Sequence, residues 1–155
     1  EALDVWENHN KTSDIPLLIG MDANTEMINI SKKNASMALP ANFAKSIIWK
    51  VADFSNINCS FKREISPGIL VTNPPFGTRF DFSESSKYKF IKELGTTLKE
   101  NFPEWTAWFL TDEKKFSSII RLRHTKKFPV FNGDIACNWL SFDMFSGTMK
   151  KTNET

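Results

Sequence analysis

The sequence contains little cysteine and little histidine, with two of each among 155 residues. Cys59 and Cys137 are too few for a disulfide framework, and they do not have the spacing of metal ligands. His9 and His124 are likewise far apart along the chain and form no cluster. We therefore interpret both cysteines as reduced, mostly buried thiols, and we expect neither structural zinc nor another bound metal.

Long apolar runs are also absent. No segment approaches the roughly 20 apolar residues that cross a bilayer, and the first residues lack the basic segment and apolar core of a signal peptide. We therefore expect a cytoplasmic protein without a membrane partner. The net charge of +2 permits a nucleic-acid substrate but does not require one. Length and composition predict one globular domain at 1–149, followed by a polar tail at 150–155.

Strand and helix patterns alternate along the chain. Apolar positions at helical spacing predict helices at 25–39, 86–102 and 114–122, and the end of another helix at 1–8. Short apolar runs predict strands at 15–22, 47–51, 68–72, 105–111, 127–131 and 135–142. Asn132-Gly133, between the last two runs, is typical of a hairpin turn. This order predicts an α/β fold with a mostly parallel sheet and an antiparallel strand at or near one edge.

The strand at 68–72 runs directly into Asn73-Pro74-Pro75-Phe76, a segment that resembles the catalytic loop of an amino-methyltransferase. The prolines fix φ and lack N–H groups, so the loop is stiff and its carbonyls point at a ligand. The exocyclic amine of a base is a poor nucleophile, because its lone pair is conjugated with the ring. Acceptors on Asn73 and a proline carbonyl can draw that lone pair out of conjugation, and Phe76 offers a face for an extruded base. Ordinary strands also end in such segments, so the context decides.

Two aspartates supply context, since each follows an apolar strand. The carboxyl ends of parallel strands line one crevice, so Asp22 and Asp53 should be neighbours that flank one ligand. Asp22 could accept hydrogen bonds from ribose hydroxyls, and Asp53 from the amine of an adenine ring on which Phe54 packs. The alternative is that each aspartate only caps a loop or helix.

Residues 73–79, Asn-Pro-Pro-Phe-Gly-Thr-Arg, resemble the Asn-Pro-Pro-Tyr-Gly-x-Arg signature of the ribosomal RNA guanine-N2 methyltransferases that carry a THUMP domain. Gly20-x-Asp22 and the segments 31–35 and 132–137 also resemble that family. The likeness covers nearly the whole chain. It implies a Rossmann-like class I methyltransferase fold with a closing antiparallel hairpin, in which 1–149 form part of the S-adenosylmethionine-dependent domain.

The resemblance also implies the reaction. S-adenosylmethionine would be the methyl donor, and the target would be guanine N2 of 23S ribosomal RNA. Phe76 stands where the family often has tyrosine. Phenylalanine keeps the aromatic face for stacking and lacks only the hydroxyl group. Arg79 would hold phosphate or shape the loop. The implied donor-binding residues are Asp22, Ala23, Asp53, Phe54 and Asn73, and the implied catalytic and substrate-binding residues are Asn73, Pro74, Pro75, Phe76 and Arg79.

The chain departs from the family at its beginning. The family's first strand ends in an Asp-Pro-x-Cys-Gly-Ser-Gly-Thr loop, whereas the six glycines here never form a Gly-x-Gly pattern. Residues 1–3 resemble the helix that follows that loop. We therefore expect a fragment that lacks the first strand and binds the donor weakly. Two alternatives stay open: an adenine-N6 methyltransferase acting on DNA or RNA, and an inactive methyltransferase fold that serves as a binding subunit.

Two weaker patterns have simpler interpretations. Aromatic residues on the strands at 105–111 and 135–142 are core residues more often than a base-stacking platform. The basic run at 121–127 is more typical of a solvated helix end than of a phosphate contact.

Overall fold

The computed structural model describes residues 16–54, 57, 67–74 and 83–146. The chain divides into two compact units, Glu1–Asn56 and Ile57–Thr155. The predicted helix end at 1–8 and the predicted tail at 150–155 lie outside the described residues. Each unit carries its own sheet.

The first unit contains a pair of parallel strands, β1 (Ile19–Asp22) and β2 (Ile48–Val51), in a register that places Asp22 opposite Val51. Helix α1 (Thr25–Ala38) begins where the Asn24 side chain accepts a hydrogen bond from the Glu26 N–H at 2.7 Å. This confirms the predicted helix.

Helix α2 (Ala41–Ser46) was not predicted. This helix has only six residues and none of them is buried, so the sequence shows no helical spacing of apolar residues there. Pro40 ends the α1 pattern and also precedes α2, because a proline is compatible with the start of a helix.

The second unit contains a four-stranded sheet of order β3-β4-β6-β5. Strands β3 and β4 are parallel, and β6 is antiparallel to both of its neighbours. Strand β5 therefore runs in the same direction as β4, and the antiparallel strand lies next to the edge, as predicted. Gly133, at φ +61°, completes the predicted hairpin turn. The strands are β3 (Ile69–Thr72), β4 (Thr106–Thr111), β5 (Lys126–Asn132) and β6 (Ile135–Asp143).

Two helices, α3 (Glu84–Asn101) and α4 (Phe116–Ile120), accompany this sheet. The Ser83 side chain caps α3 by accepting a hydrogen bond from the Ser86 N–H at 3.3 Å. Helix α4 is shorter than predicted because Arg121 adopts a left-handed conformation at φ 57°, which ends the helix. No helix within the described ranges is both long and apolar enough to cross a membrane.

The core of the second unit lies on one face of its sheet. Phe109 is fully buried, with its ring centroid 5.2 Å from that of Phe116 and 5.9 Å from that of Phe142. Ile91 and Leu98 of α3 are also fully buried. For Phe109 and Phe142 the interpretation as core residues is confirmed. Trp105, Trp108 and Trp139 are only partly buried, and the Trp108 ring stacks on the exposed Phe128 ring.

Strand β3 lies at one edge of the four-stranded sheet. Its side chains alternate, with Ile69 and Val71 exposed and Leu70 and Thr72 partly buried. Thr72, the last residue of β3, is level with Phe109 of β4. The carboxyl ends of these two parallel strands therefore form one edge of the unit.

Candidate active site

The carboxyl ends of β1 and β2 bring Asp22 and Asp53 to the same edge of the first unit. Asp22 ends β1, and the Ala52 N–H donates a hydrogen bond to its carbonyl at 3.0 Å. This bond holds the residue before Asp53 against the end of the neighbouring strand. Both aspartates are exposed. Their proximity follows from the parallel register, as the sequence argument expected.

The Asp22 carboxylate has a structural contact on one side only. Its Oδ1 accepts a hydrogen bond from the Asn24 N–H at 2.7 Å, which shapes the turn into α1. Among the residues that the structure describes, its Oδ2 has no hydrogen-bond partner. The loop-capping interpretation thus accounts for one oxygen, and the other is available to a ligand.

The neighbours of the two carboxylates suit a nucleoside. Ala23 is exposed beside Asp22, and the partly buried Phe54 ring follows Asp53 in a short turn. An available carboxylate oxygen at a strand end suits ribose hydroxyls, and an aromatic ring beside the second carboxylate suits a purine face. These residues therefore fit the adenosine part of a methyl donor.

Asn73 and Pro74 follow β3 at the carboxyl edge of the second unit. Asn73 is exposed, and its side chain has no hydrogen-bond partner within the described part of the chain, whereas Pro74 is buried. A buried proline anchors this end of the loop while the neighbouring amide remains accessible. Pro75, Phe76 and Arg79 lie outside the described residues.

The adjacent end of β4 is held rigidly. Lys87, in the first turns of α3, forms an ion pair with Glu113 at 2.8 Å, and the Lys115 N–H donates to the second Glu113 oxygen at 3.0 Å. The Glu113 N–H in turn donates to the Thr111 hydroxyl at 3.1 Å. The Lys87 hydrogen bond, and after it the Lys115 N–H bond, lower the pKa of Glu113. The start of α3 and the segment after β4 are thereby joined.

Asp112 lies between these anchored residues. Its Oδ1 is buried and has no hydrogen-bond partner among the residues that the structure describes. The sequence-based prediction of the site did not include Asp112. Asp112 nevertheless has the feature that identified Asp22, because it is a carboxylate at the end of an apolar strand.

Other features lie away from this edge. A surface cavity of about 410 Å³ lined by Trp105 and Asp143 lies at the opposite, amino edge of β4.

In the basic segment at 121–127, Arg121 ends α4 and the His124 ring is hydrogen bonded to the Ser117 hydroxyl at 2.9 Å, which agrees with a solvated helix end. Within the described ranges, His, Cys, Asp and Glu form no group of three that could hold a metal ion.

Residues 1–141 match the family model UPF0020, described as the RMKL-like methyltransferase domain. The chain belongs to this family. Two relatives are named ribosomal RNA large subunit methyltransferase K/L. The one from Cellvibrio japonicus is 28% identical over 131 residues, which are 84% of this chain and 17% of the relative. The one from Psychromonas ingrahamii is 32% identical over 118 residues, 76% of this chain and 15% of the relative. The chain thus spans about a sixth of their length.

Solved structures show the same fold. A possible methylase from Clostridium difficile 630 gives a TM-score of 0.73 at 22% identity, covering 96% of this chain and 37% of that protein. SMU.472, solved in complex with SAH, gives a TM-score of 0.70 at 21% identity, covering 84% of this chain and 32% of that one. The predicted class I methyltransferase fold, the methyltransferase class and the predicted family are confirmed.

Proposed function

We propose that this protein transfers a methyl group from S-adenosylmethionine to an exocyclic base amine, and that this amine is guanine N2 of 23S ribosomal RNA. The observation that carries the proposal is the accessible Asn73 amide at the carboxyl end of β3, beside the buried Pro74, in a chain of a methyltransferase family. Relatives named as methyltransferases of the ribosomal large-subunit RNA support an RNA substrate. A ribosomal substrate would place the protein in the cytoplasm.

Asp22, Ala23, Asp53 and Phe54 are the proposed ligands of the donor's adenosine part. The free oxygen of Asp22 accepts from the ribose hydroxyls, and Asp53 accepts from the adenine amine. The neighbour SMU.472 was solved with SAH, the demethylated form of this donor. When bound, S-adenosylmethionine supplies an electrophilic methyl group, and the carbon–sulfur electron pair leaves with the sulfur.

The Asn73 side chain and the Pro74 carbonyl are the proposed acceptors for the target amine. As acceptors of its N–H groups they pull the nitrogen lone pair out of conjugation with the ring and direct it toward the methyl carbon. The proton becomes acidic only when the nitrogen acquires positive charge, so the chain needs no strong base. Pro75 stiffens the loop, Phe76 stacks on the extruded base and Arg79 contacts phosphate in this proposal.

Adenine N6 is the second candidate target. A Listeria monocytogenes structure titled as a predicted N6-adenine-specific DNA methylase matches with a TM-score of 0.69 at 22% identity, covering 92% of this chain and 34% of that one. An Asn-Pro-Pro-Phe loop suits either amine chemically. The two targets give different products, so the methylated nucleoside distinguishes them.

The test is methyl transfer from radiolabelled S-adenosylmethionine to unmodified 23S ribosomal RNA, followed by mass spectrometry of the nucleosides. Formation of N2-methylguanosine would support the proposal. Formation of N6-methyladenosine would show that the target is adenine N6 and not guanine N2. Absence of any methylated nucleoside with a folded protein would refute the proposal. Asn73→Ala should lower kcat by at least tenfold while donor binding persists, because the lost acceptor acts on the nucleophile.

Donor binding is tested separately by calorimetric titration of S-adenosylmethionine. Asp22→Ala should weaken binding by roughly tenfold, as expected for lost hydrogen bonds to a charged group. Glu26→Ala is the matched control, since Glu26 is another exposed carboxylate in the turn that follows. Equal weakening by both substitutions would show a general charge effect.

A further inference from the structure

One oxygen of the Asp112 carboxylate is a buried acceptor without a donor among the described residues. This oxygen, Oδ1, is buried, although the residue as a whole is partly exposed. Buried polar atoms are nearly always hydrogen bonded, because loss of water without a replacement is unfavourable. Such an atom at a candidate active site indicates that its donor arrives with a ligand.

Hydrogen bonds hold the chain on both sides of Asp112. Thr111 before it and Glu113 after it are joined by a hydrogen bond, and Glu113 is anchored to Lys87 of α3 and to the Lys115 N–H. A carboxylate on a backbone that is fixed in advance binds a ligand with less loss of conformational freedom. The segment is therefore suited to a specific role in recognition.

Asp112 also lies close to the proposed target-binding residue. Since Thr72 pairs with Phe109, Asn73 is level with Leu110, and Asp112 is two residues further along the neighbouring strand. Strand spacing and rise place the Asn73 and Asp112 Cα atoms roughly 8 Å apart. Two side chains at this separation can reach the same edge of one base.

We propose that Asp112 accepts a hydrogen bond from N1–H of the target guanine and thereby selects guanine over adenine. This inference rests on the proposed function. In that function Asn73 and Pro74 accept from both N–H groups of the N2 amine, so N1–H is the remaining donor on this edge of guanine, and the buried Asp112 Oδ1 can accept from it. Adenine presents a lone pair at N1, which a carboxylate repels. Asp112 is thus a specificity-determining residue that contacts the substrate.

The test compares RNA carrying guanine at the target position with RNA carrying 2-aminopurine there. The analogue retains the 2-amino group but lacks the N1–H donor. The wild-type protein should prefer guanine by roughly 10- to 100-fold in kcat/KM, the range expected for a hydrogen bond to a charged group. In Asp112→Asn most of this preference should disappear, because the neutral amide oxygen is a weaker acceptor for N1–H than a carboxylate oxygen.

Asp143→Asn is the matched control. Asp143 is also a partly buried carboxylate at a strand end, but it lies at the opposite edge of the sheet and accepts from the Thr106 hydroxyl at 2.9 Å. This variant should keep the guanine preference. The melting temperature of Asp112→Asn without ligands should not fall, because the buried oxygen has no partner to lose among the described residues.

The outcomes separate the two proposals. Absence of methyl transfer by the wild-type protein refutes the proposed function, and the inference falls with it. Guanine methylation with an unchanged preference in Asp112→Asn refutes the inference alone. Equal loss of activity on both RNAs, together with a lower melting temperature, would show that Asp112 is structural and would also overturn the inference.

Discussion

Gly95 lies in the middle of α3 at the point where α4 approaches closest, and we predict that Gly95→Ala destabilises the protein. A Cβ atom at this position would overlap the backbone carbonyl oxygen of Ile120 and lie 3.0 Å from its Cγ1. Gly95 is buried, and Ile120 is fully buried. The obstacle is backbone, so rotation of a side chain cannot relieve it.

Two opposing contributions determine the magnitude. Overpacking a well-packed site destabilises by about 1–3 kcal/mol, and the rigid obstacle places this contact near the upper end. Alanine has a higher helix propensity than glycine, which by itself stabilises the helix by about 1 kcal/mol. The net loss of unfolding free energy is therefore about 2 kcal/mol. For a chain of this length the melting temperature should fall by roughly 4–8 °C.

Thermal and urea denaturation followed by circular dichroism measure this loss. Thr96→Ala is the matched control, since Thr96 is the exposed next residue, whose hydroxyl bonds to the Lys92 carbonyl of its own helix. This variant should be neutral or slightly more stable, because alanine favours helix. If Gly95→Ala proves as stable as Thr96→Ala, the inference that α3 and α4 pack too closely at Gly95 to accept a Cβ atom is wrong.

Three further predictions concern other contacts. Lys87→Met should lower the unfolding free energy by about 1 kcal/mol at pH 7. Because the pair lowers the pKa of Glu113 below its ordinary 4.5, the contribution exists above that pH and disappears as the pH falls through the folded value, so the stabilities of both proteins in urea should converge once the pH is below the folded pKa. Tyr88, the one tyrosine of the chain, donates to Glu84 at 2.7 Å, which raises its pKa above 10.0, so Glu84→Gln should lower the midpoint of the ultraviolet phenolate titration; an unchanged midpoint would contradict the bond. Gly133→Ala should destabilise by about 1 kcal/mol through its φ of +61° alone, since no atom obstructs the new methyl group, and a loss above about 3 kcal/mol would point to another cause.

Much of the local structure was predictable because it depends on short-range patterns. The helices α1 and α3 follow from periodic apolar positions, and the β5–β6 turn follows from Asn132-Gly133. Helix α2 was missed because a short, unburied helix leaves no such pattern. The early end of α4 was missed because the left-handed conformation of Arg121 has no sequence signal comparable to a glycine.

The candidate site divides in the same way. Asn73, Asp22 and Asp53 were found because each follows an apolar strand, and parallel pairing then places the two aspartates at one edge. Their individual roles, and those of Pro75, Phe76 and Arg79, stay predictions. Asp112 also follows an apolar strand, but only the structure shows that its buried Oδ1 has no hydrogen-bond partner among the described residues.

The sequence by itself determined the class of protein and the positions where chemistry can occur, because apolar periodicity and the Asn-Pro-Pro-Phe segment are local properties of the chain. Beyond the expected pair of Asp22 and Asp53, the tertiary structure alone decided which of those positions become neighbours and which of their polar atoms are hydrogen bonded. Strand order, register and burial result from contacts between residues far apart in sequence, as in the pairing of Thr72 with Phe109 that places Asp112 near Asn73. Such contacts depend on how whole surfaces pack, and a one-dimensional pattern contains that information only indirectly.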